Sequence, residues 1–180
     1  MKNKDFLKSI IVLVAICVVI GASMAAVNMV TKGPIAEAQK KKETDALNKV
    51  IEINGGFEKI EEISDLPESV VAVYRDKDGE GIAMLLAAKG YDSSNPISIA
   101  VGFDNSGVIE KCYVISCNGE TSGIGTKVKG EGFLDSFTAK SDTSEVDTIS
   151  GATISSSAFV AAVEDACELF ARVAESEDLT

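Results

Sequence analysis

The alternation of apolar and polar positions divides the chain into stretches of different period. Ile10 to Val30 reads IIVLVAICVVIGASMAAVNMV, twenty-one residues without a charge and with Asn28 as the only strongly polar side chain. As a helix this stretch spans roughly 30 Å, about the hydrocarbon thickness of a bilayer, and a single membrane crossing is predicted. A cleaved signal peptide is the rival reading. Lys2, Lys4 and Lys8 make a basic start, Ile10 to Ile20 an apolar core, and Ser23-Met24-Ala25 a small-x-small site. The retained helix is favoured because apolar residues continue beyond that site. Lysines lie on both sides, with Lys32, Lys40, Lys41 and Lys42 following the segment, so the positive-inside count does not decide orientation.

Pro34 sits where a helix can start, and residues 35 to 53 are rich in Ala, Lys, Glu and Gln, with Ala46, Leu47, Val50 and Ile51 as an apolar edge before Gly55-Gly56. This predicts a helical stalk. Beyond Pro67 the period becomes that of strands: VVAVYR (70–75), GIAMLLAAKGY (81–91), ISIAVGFD (97–104) and VIEKCYVISC (108–117), separated by the turns DKDGE, DSSNP and NSG. A short helix is predicted over Phe133 to Ala139. Phe159, Val163, Ala166, Phe170 and Val173 then recur at helical spacing, which predicts a final helix from about Ser155 to Ala174. Antiparallel strands packed with helices make an α+β domain. The predicted organisation is an N-terminus (1–9), a transmembrane helix (10–30), a helical stalk and linker (31–66) and a globular domain (67–180).

Charge and composition narrow the chemistry. The 180 residues hold 17 Lys and Arg against 28 Asp and Glu, a net charge of −11. The first thirty residues carry more Lys than acid, so the remainder is more acidic still, which argues against nucleic acid and against lying flat on an anionic lipid surface. With no His there is no Ser-His-Asp or Cys-His machinery, and the four Cys, at 17, 112, 117 and 167, never stand at C-x-x-C spacing. No metal site is therefore predicted, and any metal or haem chemistry is expected in a partner. Cys112 and Cys117 are expected on opposite faces of a strand, about 16 Å apart if it is extended, as buried free thiols.

Two segments stand out. DTISGATISSS, Asp147 to Ser157, places six hydroxyls in eleven residues at the mouth of the final helix. One hydroxyl suffices to cap a helix, but unpaired N–H groups and the positive end of the helix dipole at that place also favour a phosphate. The stretch from Asn118 to Phe133 is rich in glycine. Its GETSGIGTK fails as a P-loop, because Thr126 precedes Lys127, and as a dinucleotide fingerprint. Gly119, Gly123, Gly125 and Gly130 do let the backbone approach a flat ligand closely.

Asp147-Thr148-Ile149-Ser150-Gly151-Ala152-Thr153 resembles the D-x-x-[ST]-G-A-T flavinylation motif. That resemblance implies that Thr153 carries FMN through a phosphoester, installed by a flavin transferase that uses FAD, and that Asp147, Ser150, Gly151 and Ala152 are what the transferase recognises. The hydroxyls at 148 and 155 to 157 are then caps and loop polarity. Glu120-Thr121-Ser122-Gly123-Ile124-Gly125 is similar to the E-T-P-G-L-G segment of the same FMN-binding domain, and implies a role for Glu120, Thr121, Gly123, Ile124 and Gly125 beside the isoalloxazine ring. Ser122 stands where Pro is usual, and Asn118 where His often lies. With the membrane helix and this length, the chain resembles the G subunits of Rnf complexes, the ion-translocating ferredoxin:NAD oxidoreductases; these subunits are related to the C subunit of the sodium-translocating NADH:quinone reductase, which shares the motif.

The resemblance implies an electron relay through covalent FMN, coupled to Na+ or proton translocation, in which no catalytic side chain is expected of this chain. It also implies membrane and iron-sulfur or flavin partner subunits, a cytoplasmic N-terminus and an extracytoplasmic domain. The alternatives are an anchored extracytoplasmic binding or scaffold module without cofactor, for which the capping role of the hydroxyls is enough, and a stand-alone flavin reductase.

Overall fold

The computed structural model describes residues 2–51, 56–61, 63, 65–77 and 81–175. It divides into two units, Met1–Lys41 and Lys42–Thr180. The first belongs to the helix α1 (Lys2–Val50), whose apolar side chains from Phe6 to Val30 are exposed. This helix is long and apolar enough to cross a membrane. Its polar side chains turn back onto the backbone: the Ser23 hydroxyl donates to the Val19 carbonyl at 2.8 Å and that of Thr31 to the Val27 carbonyl at 2.9 Å. Such bonds satisfy hydroxyls where water is absent.

A helix start at Pro34 is not observed, because α1 runs through it. An interior proline costs about 3 kcal/mol by itself, but it is flanked here by an apolar run and by a segment of strong helix formers. α1 ends at Val50, and the predicted stop at Ile53 and Gly55 lies outside the described residues.

In the second unit five strands form one antiparallel sheet in sequence order: β1 (Phe57–Ile60), β2 (Val70–Asp76), β3 (Gly81–Ala88), β4 (Ile97–Asp104) and β5 (Ile109–Ser116). The helix α2 (Glu131–Leu134) follows, with 3-10 turns on either side at Gly125–Lys129 and Asp135–Phe137, and then α3 (Thr153–Glu175). The short helix predicted over 133–139 is thus a composite of α2 and the second 3-10 turn. β1 carries no strand signal of its own, being four residues with both central side chains exposed.

Both faces of the sheet are covered, which explains why β3 reads as a nearly continuous apolar run. One face, with Val73, Met84, Val101 and Cys112, packs on Phe159, Val163, Ala166 and Phe170 of α3. The other presents Ala72, Ala83, Leu85 and Ala100 to Ala46, Leu47 and Val50 at the end of α1 and to Ile51. Small residues let that helix end come close. A Cβ on Gly102 would lie 2.2 Å from the Val50 carbonyl oxygen. Lys49 adds a tie, its Nζ donating to the Tyr113 hydroxyl at 2.9 Å.

The expected opposition of Cys112 and Cys117 is corrected by the sheet. A register shift between Ser98 and Ile99 inserts an extra residue in β5 between Val114 and Ser116, which resets the alternation. Both cysteines consequently lie in the core under α3. They and Cys17 and Cys167 are free thiols.

Candidate functional site

The two motifs fold into the same local device. In the first, the Ile124 N–H bonds to the Thr121 carbonyl at 3.1 Å, with Gly123 third in the turn at φ 75°. In the second, the Ala152 N–H bonds to the Ile149 carbonyl at 2.9 Å, with Gly151 third at φ 79°. A positive φ at the third position is the type II turn, for which glycine is the residue of least strain. The first turn is braced by the Gly123 N–H, which donates to the Thr126 hydroxyl at 2.9 Å.

The second turn delivers the chain directly into α3, and Thr153 is its first residue. The Thr153 side chain is exposed, as are Asp147, Ser150 and Gly151, while Ala152 is buried. The capping expectation for the hydroxyls fails. The position before the helix is Ala152, which has no side-chain acceptor. Ser156 accepts the Ile149 N–H at 2.9 Å and donates to the Ala152 carbonyl at 2.9 Å, so it clamps the turn onto the helix. Ser157 donates back to the Ile154 carbonyl at 3.2 Å. Ser155 donates to Glu120. Among the described residues, no side chain accepts from the N–H groups of Thr153, Ile154 or Ser155. This 23-residue helix therefore begins with free donors at the positive end of its dipole.

Glu120 joins the two motifs. It is 7 % exposed, and its two carboxylate oxygens take different partners: Oε1 accepts the Tyr91 N–H at 2.9 Å and Oε2 accepts the Ser155 hydroxyl. The glycines around it leave room for no side chain. A Cβ on Gly90 would stand 2.1 Å from Glu120 Oε1, and one on Gly125 would stand 2.6 Å from both Glu120 Oε2 and Ser155 Oγ. Thr121 and Ile124 are exposed beside it. Asn118, in the position where imidazole is frequent, is exposed as well.

Predicted site residues from both motifs are thus brought to one place, with Glu120 and Gly125 against the first turn of α3. Gly90, Tyr91 and Ser155 belong to the same place and carry no motif signal. Their membership depends on contacts across 29 and 35 residues of chain.

A family model described as the FMN-binding domain matches residues 90–168, from Gly90 into α3. A second, described as the RnfG N-terminal region, matches residues 1–50, the extent of α1. The G subunit of the ion-translocating oxidoreductase complex of Methanosarcina acetivorans is 25% identical over 178 residues, covering 92% of this chain and 95% of that protein.

Proposed function

Since the chain belongs to the family of Rnf complex G subunits, we propose that it relays electrons within such a complex through FMN bound covalently at Thr153. Electron transfer as a membrane-anchored subunit of an ion-translocating oxidoreductase complex is the function of this family. The single observation that carries this proposal is the start of α3: an exposed threonine hydroxyl in a first turn whose N–H donors have no acceptor among the described residues.

The residues at this place fit FMN. The free N–H groups and the helix dipole suit the single negative charge of a phosphodiester. The Ser150-Gly151 turn and the Ser156 clamp hold Thr153 outward, where a flavin transferase using FAD reaches it, with Asp147 exposed a turn upstream. Glu120 keeps the Thr121–Gly125 loop against the helix start, beside the place of the ring. When bound, FMN supplies redox chemistry in one- or two-electron steps. The protein contributes position, and no side chain of this chain is assigned a proton transfer. The domain lies outside the cytoplasmic membrane on a single crossing, and ferredoxin:NAD electron flow drives Na+ or proton translocation with the other membrane and iron-sulfur or flavin subunits.

A cofactor-free scaffold drew its support from the hydroxyls as caps, and they do other work. Protein made beside its flavin transferase is expected to show an intact mass raised by one FMN less water. Thr153→Ala is expected to lose that increment while keeping its fold, since the exposed Thr153 hydroxyl makes no hydrogen bond to a described residue. Covalent flavin surviving in the variant would refute the assignment.

A further inference from the structure

Exposed large apolar side chains are few on the second unit, and they are not scattered. Among its described residues they are Leu66 before β2, Val71 within it, and Tyr91, Ile124 and Ile154, which are 68 %, 49 % and 60 % exposed. The last three come from separate parts of the chain: the loop after β3, the loop after β5 and the first turn of α3. One carboxylate gathers them. Glu120 takes the backbone N–H of Tyr91 and the hydroxyl of Ser155, the neighbour of Ile154, and it lies under Gly125, the neighbour of Ile124.

We infer that Tyr91, Ile124 and Ile154 form the apolar surface on which the tethered flavin ring rests, with the Tyr91 phenol in contact with it. This rests on the reading of Thr153 as the attachment residue. Ile154 is adjacent to that residue in the same helical turn, so a ring held by its phosphate tail at Thr153 starts its path at this patch. An isoalloxazine is a flat, mostly apolar tricycle, and side chains this exposed around a single buried carboxylate are matched by such a surface. Tyr91 lies outside both motifs, and its backbone bond to Glu120 is what brings it to this place.

The composition makes the assignment testable by light. The chain has no Trp and three Tyr. Tyr74 and Tyr113 belong to the face covered by the end of α1, opposite the α3 side. Tyr91 is therefore the one aromatic donor at the flavin place. A phenol touching a photoexcited flavin gives it an electron and takes it back, which quenches emission with no net reaction.

The full-length protein in detergent, carrying flavin confirmed by intact mass, is expected to emit weakly. Tyr91→Phe and Tyr91→Leu are expected to keep the mass increment and to raise flavin emission and its lifetime several-fold, while Tyr74→Phe leaves both unchanged. Flavin retained on all variants with emission equal to wild type would overturn this inference and leave the attachment reading standing, as it would if these side chains covered a protein partner instead. Wild type without the mass increment would overturn both.

Discussion

Glu120 concentrates at one residue what the site needs. Its burial and its two partners make it a positioning residue, because a carboxylate removed from there leaves the Tyr91 N–H and the Ser155 hydroxyl without acceptors. Glu120→Ala is expected to lower unfolding stability by about 1–3 kcal/mol in urea titrations, and Glu120→Gln, which keeps one acceptor, by less. Thiols make a second residue-scale prediction. Burial pushes the Cys112 thiol well above its ordinary range, and burial with the nearby Asp142, Glu164 and Glu168 charges pushes that of Cys167 up to about 12. A folded-state value above the unfolded one means that the stability is present below about pH 9 and lost as pH rises toward the folded value. The urea midpoint of wild type is expected to fall more steeply above pH 9 than that of Cys112→Ala. At this scale the motif residues were legible and their bonding was not. Thr153 stood out by its neighbours in sequence, but the job of Ser155 depends on a partner 35 residues away.

Turns and helix ends decide the behaviour of the elements. The turn at Thr121 to Ile124 places Ser122 second, ahead of Gly123 with its positive φ. Proline is favoured at that position, so Ser122→Pro is expected to raise stability by about 0.4–1 kcal/mol by restricting the unfolded chain, read as a higher melting temperature. The opposite is expected at Gly102, where a methyl group meets the Val50 carbonyl at 2.2 Å. Gly102→Ala is expected to cost about 1–3 kcal/mol, since backbone must move to admit it. Four strands and α3 were readable from period alone, to within a few residues at each end. Two features were hidden for physical reasons: β1 is short and exposed at its centre, and Pro34, a signal for a helix start, is carried inside a helix that an apolar run begins and strong helix formers continue.

For the whole molecule, the decisive fact is that the sheet is covered on both faces by helices of different origin. The part of α1 from Lys42 onward supplies Ala46, Leu47 and Val50 to one face, and α3 covers the other. A chain cut to begin at Lys42 is expected to be soluble without detergent and to melt cooperatively by circular dichroism. One cut to begin at Gly56 is expected to aggregate, because it uncovers Ala72, Ala83, Leu85 and Ala100 together.

The bare first turn of α3 has a bearing on biogenesis. Newly made chain leaves three amide donors there to water, and a phosphate esterified at Thr153 would give them an internal acceptor. Attachment would then double as a fastener, so that mature and immature copies differ in how readily that end of the helix frays, and amide exchange at Ile154 and Ser155 would report which copies had been finished.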